Sequence, residues 1–217
     1  MSTTSACLIG FVTGLTAEAR IATRCGGLVR AGGGFPAGAG AAARQLVAEG
    51  AQALVSLGLA GGLDPALRPG DLVVPAEIVE NGAVFAADPT LAARFGGFTQ
   101  HRLLAGDVVV PDAASKRAAR AIGVDAVDLE SGAVARVAQQ HGLPFAVVRA
   151  ICDPAERDLP PAAKVALDRK GAIALMRVLG SLALHPGQFR TLIALGADVA
   201  RARKTLLAVV DRFSRAP

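Results

Sequence analysis

Apolar runs and short polar breaks alternate along the whole chain. The stretch "ACLIGFVT" reads as a buried strand, and after a turn at Gly14 the stretch "AEARIATR" reads as a helix. "GLVRAGGGFPAGAGAAARQLVAEG" opens as a short strand, and its glycine-rich connection enters an alanine-rich helix ending at Gly50. "ALVSLGLAGGLDP" is an apolar strand expected to break at Gly-Leu-Ala-Gly-Gly. "RPGDLVVPAEIVENGAVF" holds two extended runs with turn signals between them, which predicts an antiparallel, hairpin-like excursion. "HRLLAGDVVVPDAASKRAARAIG" gives a short strand, a loop and a helix. "VDAVDLESGAVARVAQQHG" leads from a strand into a helix, and "LPFAVVRAICDPA" is a further apolar strand. Strands that are apolar throughout, alternating with helices, predict an α/β fold whose sheet is covered on both faces. From about Pro160 the chain reads as mostly helical, with a turn at "DRKG".

Composition narrows this picture. A chain of 217 residues with 52% hydrophobic and 19% charged residues suits one compact domain with a sizeable core. There is no Trp and no Tyr, which argues against a reader of nucleic acid that stacks bases on aromatic rings. The net charge of +5 fits an anionic ligand or an anionic membrane surface and selects neither. Cys7, Cys25 and Cys152 have no metal-site spacing and read as free thiols of a reducing cytosol. The N-terminus lacks the basic segment of a signal peptide, and no uninterrupted 18-residue apolar run predicts a membrane span. The expected location is cytoplasmic.

The chemistry concentrates at strand ends, where open α/β sheets bind ligands. The Gly-Leu-Ala-Gly-Gly stretch would let a ligand approach the backbone, although it is neither G-x-G-x-x-G nor a P-loop. Glu18 and Glu130 each stand at a helix start, where the dipole alone stabilises a carboxylate. Asp153 follows an apolar strand and precedes Pro154, an ordinary setting for a turn residue. Singly, each acid has an ordinary structural explanation; the three together suggest a site.

The segments "SLGLAGGLDPALRPGDLVVPAEIV" and "VDLESGAVARVAQQHGLPFAVVRAICDPAER" resemble the nucleoside phosphorylase superfamily. That superfamily includes purine nucleoside phosphorylases and the methylthioadenosine/adenosylhomocysteine nucleosidases, and the resemblance extends over about residues 7–158. It implies a three-layer α/β sandwich with a central twisted, mixed sheet flanked by helices. It also implies cleavage of the N-glycosidic bond of a nucleoside without a cofactor or a metal. By position, Glu130 would grip the ribose hydroxyls, Asp153 would protonate the purine, and Glu18 would activate water. Leu59, Ala60, Gly61, Val109, Val110 and Leu129 would line the substrate site, with Leu129 standing where methionine is usual. Asp128 is expected to be structural, pointing away from Leu129. Such roles make chemical sense. A breaking C–N bond leaves positive charge on the sugar, which carboxylates stabilise, and a base that needs a proton.

Two departures bear on substrate and acceptor. Phosphorolytic relatives hold phosphate with an arginine and a hydroxyl before the A-G-G block; here Leu59 stands in that place, while Arg20, Arg24 and Arg44 have no assigned role. Water is therefore favoured, with phosphate as the alternative co-substrate. The tail "HPGQFRTLIALGADVARARKTLLAVVDRF" carries Leu192, Leu195, Val199, Leu206, Val210 and Phe213 near helical spacing, among Arg201, Arg203, Lys204, Arg212 and Arg215. It reads as a helix from about residue 185, either packed on its own domain or touching the inner face of a membrane. Together with "DRKGAIALMRVLGSLALHPGQ" it resembles the hopanoid-associated branch, which implies adenosylhopane, with its large apolar 5′ group, as substrate. The alternatives are a general methylthioadenosine/adenosylhomocysteine nucleosidase, a purine nucleoside phosphorylase, or a nucleoside-binding protein without catalysis. A homodimer is the expected assembly.

Overall fold

The computed structural model describes residues 7–160 and 189–215. Among these, nine strands form one sheet. They are β1 (Ile9–Thr13), β2 (Leu28–Ala31), β3 (Ala53–Gly62), β4 (Leu72–Val73), β5 (Glu77–Glu80), β6 (Ala83–Ala86), β7 (Arg102–Ala105), β8 (Ala126–Asp128) and β9 (Phe145–Asp153). The helices are α1 (Thr16–Ala22), α2 (Pro36–Ala48), α3 (Pro89–Ala93), α4 (Ala113–Arg120), α5 (Ser131–Gln140) and α6 (Phe189–Arg215). The strands run in the order β2-β1-β3-β8-β7-β5-β6, with β9 on β3 and β4 on β9, and the pairing is mixed.

Successive residues of a strand face opposite sides of the sheet, and here each side has its own core. Val12, Leu54, Val147 and Ile151 pack under α2 and α5, against Leu46, Val134 and Val137. Their neighbours Phe11, Val55, Val148 and Ala150 pack on the other side with Ala22 of α1, Leu91 of α3 and Leu206, Val210 and Phe213 of α6. The result is the three-layer α/β sandwich implied by the resemblance.

Strand β3 positions the site. One edge pairs with β9 over Leu54–Gly61. The other edge pairs with β1 only as far as Ser56, and with β8 only from Gly61. Residues 57–60 thus have no strand on that edge, and the sheet splits there. The expected break at Gly-Leu-Ala-Gly-Gly does not occur: β3 continues to Gly62, and Gly58, Gly61 and Gly62 are absent from the positive-φ glycines. Their small size, rather than a turn, is what the fold uses. A register shift at Ala60/Gly61 leaves Cys152 as an extra residue on β9, a bulge that re-aims the end of that strand toward Asp153.

The antiparallel excursion forms as expected. Strands β5 and β6 join through Asn81 and Gly82, both left-handed (φ 48° and 81°), as a two-residue hairpin turn requires. The short α3, capped by Asp88 accepting the Leu91 N–H at 2.7 Å, has no counterpart in the sequence pattern. The expected turn at "DRKG" lies outside the described residues. The C-terminal half of α6 packs on its own domain, with Phe213 stacked on Phe95 (centroids 4.7 Å) and edge-on to Phe11 (5.8 Å). Leu192, Leu195 and Val199, nearer its start, are half-buried, and Ile193 is 58% exposed. No helix among the described residues is long and apolar enough to cross a membrane.

Candidate active site

Three segments converge at the split in the sheet. Strand β1 turns directly into α1, which places Glu18 in the first helical turn. Its Oε2 accepts the Leu15 N–H at 2.8 Å, capping the helix, and its Oε1 accepts the Leu59 N–H at 3.2 Å. Leu59 lies in the part of β3 with no strand on that edge, so one carboxylate satisfies both a helix end and the gap in the sheet. Glu18 is buried, and burial holds its carboxyl above the usual range against the opposing pull of those N–H groups and Arg149.

Strand β8 delivers Asp128 and, at the start of α5, Glu130. Asp128 is fully engaged: Oδ1 accepts the Ser131 N–H (3.2 Å) and hydroxyl (2.7 Å), and Oδ2 accepts Arg149 Nε at 2.5 Å. It fastens α5 and anchors the arginine, which leaves Leu129 half-buried between the two acids. Glu130 Oε2 accepts Arg149 Nη2 at 3.1 Å. Its Oε1 lies 2.5 Å from where a Cβ on Gly14 would stand, with Glu18 Oε2 at 3.5 Å from the same point. Burial first, then the Asp128 and Glu18 charges, push the Glu130 carboxyl up to about 8, although Arg149 opposes them.

Arg149 comes from the middle of β9 and is fully buried. It shares a face with Leu54, Ser56, Val147 and Ile151, and Nη2 donates to Ser56 Oγ at 2.7 Å. Nη1 is buried without a hydrogen-bond partner. It stands 2.9 Å from where a Cβ on Gly58 would be, and Glu18 Oε2 is also 2.9 Å from that point. Gly14 and Gly58 therefore keep open the space that Glu18, Glu130 and Arg149 face. The sequence pattern did not single out Arg149 or Ser56; the lone arginine in "AVVRAIC" was the available signal, since a cation inside a buried strand needs buried partners.

Asp153 ends β9 past the Cys152 bulge. Lys116 of α4 donates to its Oδ2 at 2.6 Å, while Oδ1 is buried without a partner. Burial raises the Asp153 carboxyl and Lys116 pulls it back down. Lys116 also escaped the sequence pattern, because "AASKRAAR" offers several basic residues and no sign of which one turns inward. Gly61 faces this acid, with its Cβ position 3.9 Å from Asp153 Oδ2. Ala60 accepts the Cys152 thiol at 3.5 Å, and burial pushes that thiol up to about 12, so it is neutral at ordinary pH.

The remaining candidates sit further out. Val109 and Val110 belong to the loop between β7 and α4; Val109 is 48% exposed, and Val110 packs against the cluster of Leu63, Val124 and Val127. That loop adjoins the segment after Asp153 through the Leu159 N–H to Pro111 O bond (2.8 Å). Arg20, Arg24 and Arg44 are all exposed, and Arg24 pairs with Asp211. The cation that pairs with Asp128 and Glu130 is Arg149, and Arg203 adds a weaker pull on Glu18. Among the described residues no group of His, Cys, Asp and Glu has the arrangement of a metal site.

Comparison with known proteins agrees with this architecture. The 5′-methylthioadenosine/S-adenosylhomocysteine nucleosidase of Marinomonas sp. (strain MWYL1) is 30% identical, over 49% of this chain and 58% of the relative. The chain spans about half the length of the curated relatives it matches. The S-adenosylhomocysteine nucleosidase of Streptococcus pyogenes, in complex with 5-methylthiotubericidin, superposes with a TM-score of 0.69 at 18% identity, covering 97% of this chain and 98% of that one. The native futalosine hydrolase of Helicobacter pylori does so with 0.66 at 17% identity, covering 94% and 97%. These superpositions share the fold. The sequence model of the phosphorylase superfamily matches residues 10–100 and 103–184, and the chain belongs to that superfamily.

Proposed function

We propose that the protein cleaves the N-glycosidic bond of a 5′-substituted adenosine, releasing adenine, with water as the acceptor. The observation that carries this reading is the buried cluster at the split in the sheet, where Glu18, Glu130 and Asp128 surround the guanidinium of Arg149. Such a cluster of acids makes a poor seat for a dianionic phosphate, and those that ionise favour a developing oxocarbenium sugar. Glu130 takes the ribose hydroxyls. Glu18, made a stronger base by the burial that raises its carboxyl, removes a proton from the attacking water when it is ionised. Asp153, across the bulge, gives a proton to the base as the electron pair of the C–N bond moves onto it. Leu59, Ala60, Gly61, Leu129, Val109 and Val110 line the sugar and base.

The proposed substrate is adenosylhopane. The aliphatic Val109 and Val110, and the resemblance of the tail to the hopanoid-associated branch, support it. Exposed Arg190 and Ile193 near the start of α6, with exposed Arg201, Lys204, Arg212 and Arg215 further along it, support contact with an anionic membrane surface. The assembly proposed is a homodimer, located in the cytoplasm or at the inner membrane face. A general nucleosidase is the second reading, favoured by the similarity to 5′-methylthioadenosine/S-adenosylhomocysteine nucleosidases.

The test is chromatographic assay of adenine from adenosylhopane and from 5′-methylthioadenosine, each with and without phosphate. Release from the lipid nucleoside alone, independent of phosphate, is the expected result. Equal release from the small nucleoside points to the general nucleosidase, and none from either removes the assignment.

A further inference from the structure

Helix α4 buries a single side chain, and that side chain is a lysine. Lys116 is 1% exposed and uses all three of its ammonium donors: Asp153 Oδ2 at 2.6 Å, Pro154 O at 2.9 Å and Arg157 O at 2.8 Å. A buried ammonium is costly unless each proton is met, so the fold has built a socket for it. Every contact in the socket belongs to Asp153 or to the four residues after it. The partner oxygen, Asp153 Oδ1, is buried and left without a bond.

We propose that Lys116 is a positioning residue that clamps Oδ2 of Asp153, leaves Oδ1 as the oxygen that hands its proton to the departing base, and stabilises the carboxylate that remains. This rests on the reading of Asp153 as the acid. As the C–N bond breaks, its electron pair goes to the base, the Oδ1 proton follows to a base nitrogen, and Asp153 is left ionised beside the ammonium. Solvent then returns the proton. Burial alone would keep Asp153 protonated but make it a reluctant donor, and the ammonium corrects that.

The other charges around Asp153 are already committed. Arg157 donates to Asp198 Oδ2 at 2.6 Å and Arg201 to Asp198 Oδ1 at 2.7 Å, so the two arginines of this neighbourhood compensate the buried acid of α6. The adjacent Cys152 is a neutral thiol. Arg157 and Asp198 act on Asp153 with opposite sign, and Lys116 is the cation that bonds it and lowers its carboxyl most.

The experiment is the pH profile of kcat/KM for adenine release by wild type, Lys116→Met and Lys116→Gln, with Asp153→Asn as reference. Removing the ammonium lets the Asp153 carboxyl rise further, so activity that needs its proton persists to higher pH. The basic limb moves up in both Lys116 variants, while the plateau falls roughly ten- to a hundredfold as the acid weakens. A fall with an unmoved basic limb reduces Lys116 to a tie for residues 154–157 and overturns the proposal, while an inactive Asp153→Asn keeps the reading of the acid. Near-normal turnover by Asp153→Asn overturns the reading itself. If one neutral variant does not fold, the other gives the profile, and the ¹³C carboxyl titration of Asp153 in wild type and that variant reads the coupling directly, while Lys116→Arg, which keeps the charge, should leave the basic limb near wild type. An Asp153 carboxyl that titrates identically with and without the ammonium contradicts the proposal.

Discussion

The middle of β9 and its end carry different charge balances. At Arg149 one buried guanidinium sits among three acids; at Asp153, four residues on, one carboxylate is bonded by one buried ammonium. With a strand rise of about 3.3 Å per residue, the two lie about 13 Å apart along β9. The first balance suits positive charge arising on a sugar, and the second suits a proton leaving for a base. In the proposed reaction one buried strand would serve both halves of a glycosidic bond. The partners on neighbouring elements, rather than the strand residues alone, distinguish the two places.

The sharpest way to break this comparison is to remove the cation that organises the middle of the strand. Arg149→Met leaves Asp128 and Glu130 buried without their counter-charge, and about 3–5 kcal/mol of stability should be lost in chemical denaturation. Asp153→Asn should instead leave stability near wild type and lower adenine release by about 10²–10⁴-fold, measured by chromatography. If both variants simply unfold, the two places do not differ in the way described.

Gly58→Ala separates geometry from stability. A methyl there meets Arg149 Nη1 and Glu18 Oε2, both at 2.9 Å, and both are ends of side chains that can move. Turnover should fall roughly tenfold or more through misplacement of those groups, with a change in stability below about 1 kcal/mol. Preserved turnover would show that the spacing of Glu18 and Arg149 is not used.

The smallest effect concerns pH. The folded Glu130 carboxyl is raised to about 8 from 4.5, so its contribution to stability is full below about 4.5 and is lost as pH rises through about 8. Glu130→Gln cannot ionise. Its stability relative to wild type should therefore increase as pH rises from 5 to 8, while turnover falls more than substrate affinity. Parallel melting curves for the two proteins across that range would contradict a raised Glu130.

Much of the fold was legible because strand and helix periods alternate cleanly in this sequence. The hairpin at Asn81-Gly82 has a strong local signature, and the apolar strands required a sheet covered on both sides. Glu18, Glu130 and Asp153 were legible through a family resemblance, and the structure brings Glu18 and Glu130 together, with Asp153 further along β9. What the sequence could not display depends on the third dimension. Gly58 reads as a turn residue until Arg149 and Glu18 are seen converging on it. The Cys152 bulge depends on pairing with β3, and Lys116 looks like any solvent-facing lysine of a polar helix until its three acceptors are in place.

The most direct test of the central claim is the fate of oxygen from the solvent. Adenine release should be run in H₂¹⁸O with phosphate present, with 5′-methylthioadenosine and adenosylhopane as substrates, and the sugar product weighed by mass spectrometry. One ¹⁸O in the freed sugar, lost together with turnover in Glu18→Gln, is the result expected of an acid cluster that delivers water. A sugar 1-phosphate, or no adenine from either substrate, would contradict it.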